Sequence, residues 1–134
     1  MHETRIRVRF DEVDQMSVVH HPRYLIWFEV ARTQYLTDLG IPYRDVMAAG
    51  THLAVIEVGV KYLKPARYDE ELVVLTRCTE SSGARVALSY EVRRGAVALA
   101  TGFTRLASIE PSGRPKRMPE ELRRVFDAAV AEGK

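Results

Sequence analysis

The sequence predicts an α+β domain: one long central helix wrapped by a five-stranded antiparallel sheet. Three observations carry this. A strictly alternating stretch opens the chain, a single extended helical pattern follows it, and four more strand-like stretches separated by short turns come after. With 134 residues, 46% of them hydrophobic, the chain has the size and apolar content for one core, so residues 1–134 are read as a single domain.

From Thr4 to Phe10, Ile6, Val8 and Phe10 alternate with Arg5, Arg7 and Arg9, the period-2 pattern of a half-buried first strand. Between Asp11 and His21 the alternation stops. From Pro22 to Leu39 apolar residues recur at helical spacing, with Tyr24, Trp27, Phe28, Ala31, Tyr35 and Leu39 on one side. Leu25, Ile26, Val30 and Leu36 widen that stripe around most of the circumference, which predicts a helix enclosed by other structure. Gly40 is placed to cap it in left-handed conformation, and Pro42 opens a short second helix reaching Ala49. His52–Tyr62 then alternates, with Ala54, Ile56, Val58, Val60 and Tyr62 on one face. Pro65 ends that strand because it has no N–H to give a ladder. Glu71–Thr79, Arg85–Arg93 and Val97–Ser108 are joined by Ser81-Ser82-Gly83 and Arg94-Gly95, so they read as an antiparallel meander. Gly59 and Gly102 interrupt strands where the sheet is expected to bend. Pro119 begins a final amphipathic helix to Ala131, with Leu122, Val125, Phe126 and Ala129 as its apolar side. A partly covered sheet leaves edges and an open face, for which self-association, a two-fold dimer, is the expected remedy.

Composition narrows the function classes. Net charge is +2 and the basic residues are dispersed among acids, which argues against a nucleic-acid partner. No apolar run is long enough to span a bilayer, and Met1 to Arg5 lacks the core of a secretory signal, so a soluble cytoplasmic protein is expected. The lone cysteine, Cys78, excludes an internal disulfide framework and reads as a small buried side chain.

Chemistry concentrates in Val13–Tyr24, where Asp14, His20 and His21 precede the long helix. Pro22 suits a first helical position, and the residues around it are expected to present unpaired N–H groups and the positive end of the helix dipole. The plainer readings are a turn-forming Asp14 and two solvated histidines. Adjacent histidines in extended chain are expected to point apart and no third ligand has a recognisable spacing, so no metal is expected. Glu29 stands three residues before Arg32 and reads as its helical ion-pair partner. Ser17 lacks the strand-to-helix setting of a hydroxyl nucleophile.

The pattern Arg9-Phe10-x-x-x-Asp14, then His21-x-x-Tyr24 and Trp27-Phe28-Glu29-x-x-Arg32, with Lys64-Pro65-Ala66-Arg67-Tyr68-Asp69 further on, resembles the hotdog-fold acyl-CoA thioesterases of the 4-hydroxybenzoyl-CoA thioesterase superfamily. Its greatest likeness is to the YbgC/FcbC-like branch. The resemblance runs from about Thr4 to Ile109 and implies the hotdog fold. It also implies hydrolysis of a small or medium acyl-CoA to free acid and CoA, with Asp14 as nucleophile or general base. The backbone N–H at His21 would be the oxyanion donor, and no cofactor is implied. Met16 and Ser17 stand where family members often have glycines, which bears on the width of the pocket; Tyr24 would fall beside the substrate, and His20 beside the substrate or the partner subunit. Basic side chains would meet the CoA nucleotide, with Lys61, Lys64, Arg93, Arg94 and Arg117 as candidates. The resemblance further implies an active site at a dimer interface, in a dimer or a dimer of dimers (a homotetramer). The rival readings are a hotdog hydratase or dehydratase and a non-catalytic acyl-CoA-binding module.

Overall fold

The computed structural model describes residues 1–133. The elements are β1 (His2–Arg7), a 3-10 turn (Phe10–Glu12), α1 (Arg23–Asp38), α2 (Tyr43–Ala48), β2 (His52–Tyr62), β3 (Glu71–Ser81), β4 (Arg85–Arg94), β5 (Val97–Ile109) and α3 (Glu120–Glu132). The five strands form one sheet in the order β1-β3-β4-β5-β2, antiparallel throughout. The meander β3-β4-β5 is thus the centre of the sheet, and β1 and β2 are its edges.

The first strand ends earlier than its alternation predicts. Phe10 is 78% exposed in the 3-10 turn, resting edge-on against Tyr68. The cause is local: the Arg9 N–H donates to Glu12 Oε1 at 2.8 Å, and a side-chain acceptor three residues on draws the backbone out of the ladder. The buried side of this segment is Thr4 and Val8 with Ile6 half-buried, not Ile6, Val8 and Phe10.

α1 lies on the sheet with Tyr24, Trp27, Phe28, Ala31, Tyr35 and Leu36 buried. Its opposite side is open: Leu25, Ile26 and Val30 are 39–45% exposed, so within this chain the helix is covered on one side only, and the expected wrapping is absent. Phe28 stacks on Tyr90 of β4 with centroids 4.3 Å apart, and Tyr90 shares a buried 2.7 Å hydrogen bond with Thr104 of β5. Gly102 makes this approach feasible, because a Cβ there would sit 2.5 Å from the Phe28 ring and 2.7 Å from the Gly59 carbonyl oxygen. Arg32 donates to the Tyr90 hydroxyl at 3.4 Å and forms no ion pair with Glu29 among the described residues, which corrects the expected helical pair. Gly40 (φ +92°) ends α1 in the left-handed geometry expected of it, with the Ile41 N–H returning to the Leu36 carbonyl.

β2 pairs with β5 along its length but carries a bulge between Val55 and Glu57, which shifts its alternation. Val55, Ile56, Val58 and Tyr62 are all 40% exposed or more, so this edge strand is apolar where it meets solvent. α3 closes the far side of the core through Leu122, Phe126 and Ala129, with Val125 only half-buried.

Candidate active site

Residues 12–21 form a small hairpin ahead of α1. Val13 and Val19 are bridge partners, the Asp14 N–H donates to the Val18 carbonyl at 2.9 Å, and the His20 N–H donates to the Glu12 carbonyl at 2.9 Å. The outer limb of the hairpin is sewn to the segment after β2, where the Val19 N–H donates to the Ala66 carbonyl and Val18 bridges Arg67. Asp14 is part of the turn as well as exposed at it. Its Oδ1 accepts from the N–H of Met16 at 2.8 Å and of Val18 at 3.3 Å, an arrangement that lets an Asp replace a backbone turn. Oδ2 makes no hydrogen bond among the described residues. Ser17 adopts φ +62°, so the loop keeps a left-handed position that suits glycine although a serine fills it. Met16 projects beside it at 77% exposure.

The start of α1 is more fully satisfied than expected. Pro22 is the residue before the helix rather than its first turn, and the N–H groups of Arg23, Tyr24 and Leu25 turn back to the carbonyls of His20, His21 and Pro22. The His21 carbonyl also accepts from the Tyr62 hydroxyl at 2.8 Å. In His20 and His21 the single backbone group without a partner among the described residues is the His21 N–H. The two imidazoles do not diverge, as adjacent histidines in extended chain would, but meet edge to face at 4.8 Å. Among the described residues no group of three His, Cys, Asp or Glu side chains is placed to hold a metal.

Behind the hairpin sits a residue the sequence reading passed over. Glu12 is buried, and while its Oε1 holds Arg9, its Oε2 accepts from the Trp27 Nε1–H at 2.8 Å, tying the loop to α1. The available signal was an acid two residues before Asp14 and a lone tryptophan on the helix. Tyr24 is also buried, in edge contact with Tyr62 at 5.0 Å; burial pushes both phenols up, so each remains a donor at neutral pH.

The basic candidates separate by position. Lys61 and Lys64, both exposed, stand at the end of β2 that carries Tyr62, and neither forms an ion pair among the described residues. Arg94 shares that end but is engaged by Glu70 at 2.9 Å and by the Pro65 carbonyl, and Arg93 pairs with Glu91 at 3.1 Å. Arg117 packs over Gly83 in the β3–β4 turn, at the opposite end of the sheet from the hairpin.

A family model described as the thioesterase-like superfamily matches residues 8–126. The chain belongs to the thioesterase-like superfamily. The family resemblance thus stands, and with it the enzyme class, thioester hydrolases of the YbgC-like kind. Acyl-CoA thioesterase YbgC of Haemophilus influenzae is 28% identical over 90% of this chain and 90% of its own length. YneP of Bacillus subtilis, provisionally named an acyl-CoA thioesterase, is 38% identical over 65% of this chain, and the match spans 63% of that protein. Among solved structures, a DHNA-CoA thioesterase from Staphylococcus aureus superposes with TM-score 0.93 at 31% identity, covering 98% of this chain and 94% of that one. The hypothetical protein TT1821 of Thermus thermophilus gives 0.91 at 40% identity, covering 95% and 98%.

Proposed function

We propose that this superfamily member hydrolyses a small or medium acyl-CoA to the free acid and CoA, with Asp14 as the reacting carboxylate and the His21 N–H as the oxyanion donor. The observation that carries it is the occurrence on one loop of two groups without a hydrogen-bond partner among the described residues: Oδ2 of an otherwise fixed carboxylate, and the His21 N–H ahead of a helix. In the water-mediated route, Oδ2 accepts a proton from a water whose oxygen bonds to the thioester carbon. The carbonyl oxygen gains the charge and meets the His21 N–H. Collapse then breaks the C–S bond, and the departing thiolate takes up a proton to leave as CoA. In the covalent route Oδ2 bonds to the carbonyl carbon, the C–S bond breaks, and the CoA thiolate leaves and takes up a proton. Water then cleaves the acyl–Asp14 anhydride to the free acid and the regenerated carboxylate. In either route a fixed donor at the oxyanion contributes about 3 kcal/mol to the barrier reduction.

The open apolar side of α1, formed by Leu25, Ile26 and Val30, and the apolar edge strand β2 are the surfaces we assign to a second copy of the chain, which would complete the enclosure of the helix. Lys61 and Lys64, which engage no acid among the described residues, are the better placed contacts for the CoA phosphates, Arg93 and Arg94 lesser ones; His20, Tyr24, Met16 and Ser17 border the acyl end. The cytoplasm, where CoA esters are made and used, is the expected location.

The test is thiol release from a panel of acyl-CoA esters by the wild type, Asp14→Asn and His21→Ala. Asp14→Asn should lose at least about a hundredfold in kcat. His21→Ala should lose less, because it keeps the N–H. Undiminished hydrolysis by Asp14→Asn would remove the mechanism, hydration of an enoyl-CoA would favour a hydratase, and CoA affinity without turnover a binding module. Light scattering that reports a 15.2 kDa particle at micromolar concentration would contradict the second copy.

A further inference from the structure

The oxyanion donor is a backbone group, so its direction is set wholly by what holds the peptide units around it. Among the described residues, three of the four hydrogen bonds there come from within the site segment itself: the Glu12 carbonyl on the His20 N–H, the Arg23 N–H on the His20 carbonyl, and the Tyr24 N–H on the His21 carbonyl at a long 3.4 Å. The fourth comes from across the fold. Tyr62, the last residue of β2, donates its hydroxyl to the His21 carbonyl at 2.8 Å, the shorter of that oxygen's two contacts. Pro22 follows and cannot donate, so without Tyr62 the carbonyl keeps only the long contact to Tyr24.

We propose that Tyr62 is a positioning residue for thioester hydrolysis, holding the His21 carbonyl so that the neighbouring His21 N–H stays aimed at the substrate oxygen. This rests on the hydrolytic reading above and adds to it a residue 41 positions away in the chain. The tyrosine is equipped for the role. Its ring stands edge to face against Tyr24 at 84° and against His21 at 89°, so the hydroxyl is presented by a ring fixed on two sides. β2 is also hydrogen-bonded to β5 through Tyr62↔Ala100, which anchors the donor in the sheet rather than in the loop it steadies. A donor of this kind acts on the transition state, where the oxygen carries charge, more than on the bound ester. Its loss therefore belongs in kcat.

Tyr62→Phe keeps the ring and removes only the donor. In thiol release with hexanoyl-CoA and benzoyl-CoA, kcat should fall about tenfold or more while KM changes less than about twofold. Amide exchange on the substrate-free protein provides a second readout. The His20 and Arg23 amides should exchange about tenfold faster in Tyr62→Phe, while the Leu88 and Val92 amides in β4 stay as in the wild type. Unchanged kcat in Tyr62→Phe, alongside a dead Asp14→Asn, would overturn this inference and leave the hydrolytic reading standing. A fall in kcat accompanied by faster exchange throughout β4 would show a general stabilising role and would equally overturn it. A wild type that releases no thiol from any ester would sink the hydrolytic reading and this one with it.

Discussion

Glu12 offers the sharpest test of how the site is built, because its two carboxylate oxygens each serve a different donor. Oε1 takes the Arg9 N–H and Oε2 the Trp27 indole N–H, both at 2.8 Å. Glu12→Ala removes two charge-assisted bonds, each worth about 1.5–3 kcal/mol in isolation. The losses differ, since the Arg9 N–H lies in an exposed turn where water replaces the acceptor, whereas Trp27 is only 2% exposed and its N–H would be stranded. Counting one full orphaned donor, a partial loss at Arg9 and the vacated volume, Glu12→Ala should cost about 3 kcal/mol. Glu12→Gln should recover little. An amide has one acceptor oxygen and must present its NH2 to the other donor, so the cost remains about 2 kcal/mol. An unfolding entropy of about 2.1 cal/mol/K per residue converts these to Tm losses of about 10 °C and 7 °C. Thermal unfolding followed by circular dichroism, at one fixed protein concentration, reads both. In a Trp27→Phe background Glu12→Gln should cost at least about 1 kcal/mol less, because the donor it offends is gone. A Glu12→Gln variant with the wild-type Tm would refute the two-donor account.

The close approach of α1 to the sheet predicts that Gly102→Ala, whose Cβ would meet the Phe28 ring at 2.5 Å and a backbone oxygen at 2.7 Å, loses about 3 kcal/mol, measurable as a drop in urea midpoint with unchanged m. Burial pushes the Cys78 thiol up to about 12, so a thiol reagent at pH 8 should label the folded chain negligibly and label one cysteine per chain in denaturant. The sign for stability follows: the folded thiol keeps its proton where the unfolded one, near 9.0, loses it. This contribution is therefore full below pH 9 and declines as pH rises toward 12. Rapid labelling of the native protein would contradict the burial.

Much of this was legible in sequence because periodicity reports burial directly. The meander turns, the Gly40 cap and the three Pro-led helices each rest on a residue whose backbone restriction is intrinsic, and all appear within a residue or two of the expected bounds. The failures come from contacts that periodicity does not encode, some local and some across the fold. Phe10 continued the alternation, yet Glu12 took the Arg9 N–H and ended the strand. The exposed apolar row on α1 looks like any core-facing stripe until the sheet is seen to cover one side of it. Arg32 sits at helical spacing from Glu29 but reaches Tyr90. At the site, the acid and the helix entrance were visible as a local cluster, whereas the contacts from Glu12 to Trp27 and from Tyr62 to His21 join residues 15 and 41 apart and depend on the fold.

Trp27 is the only tryptophan in the chain, and its indole is bonded to the loop that carries Asp14. The protein therefore contains its own optical reporter. Emission from this single tryptophan originates where the loop is fastened, so a shift in its wavelength or lifetime on adding an acyl-CoA reads the seating of the Asp14 loop without a label.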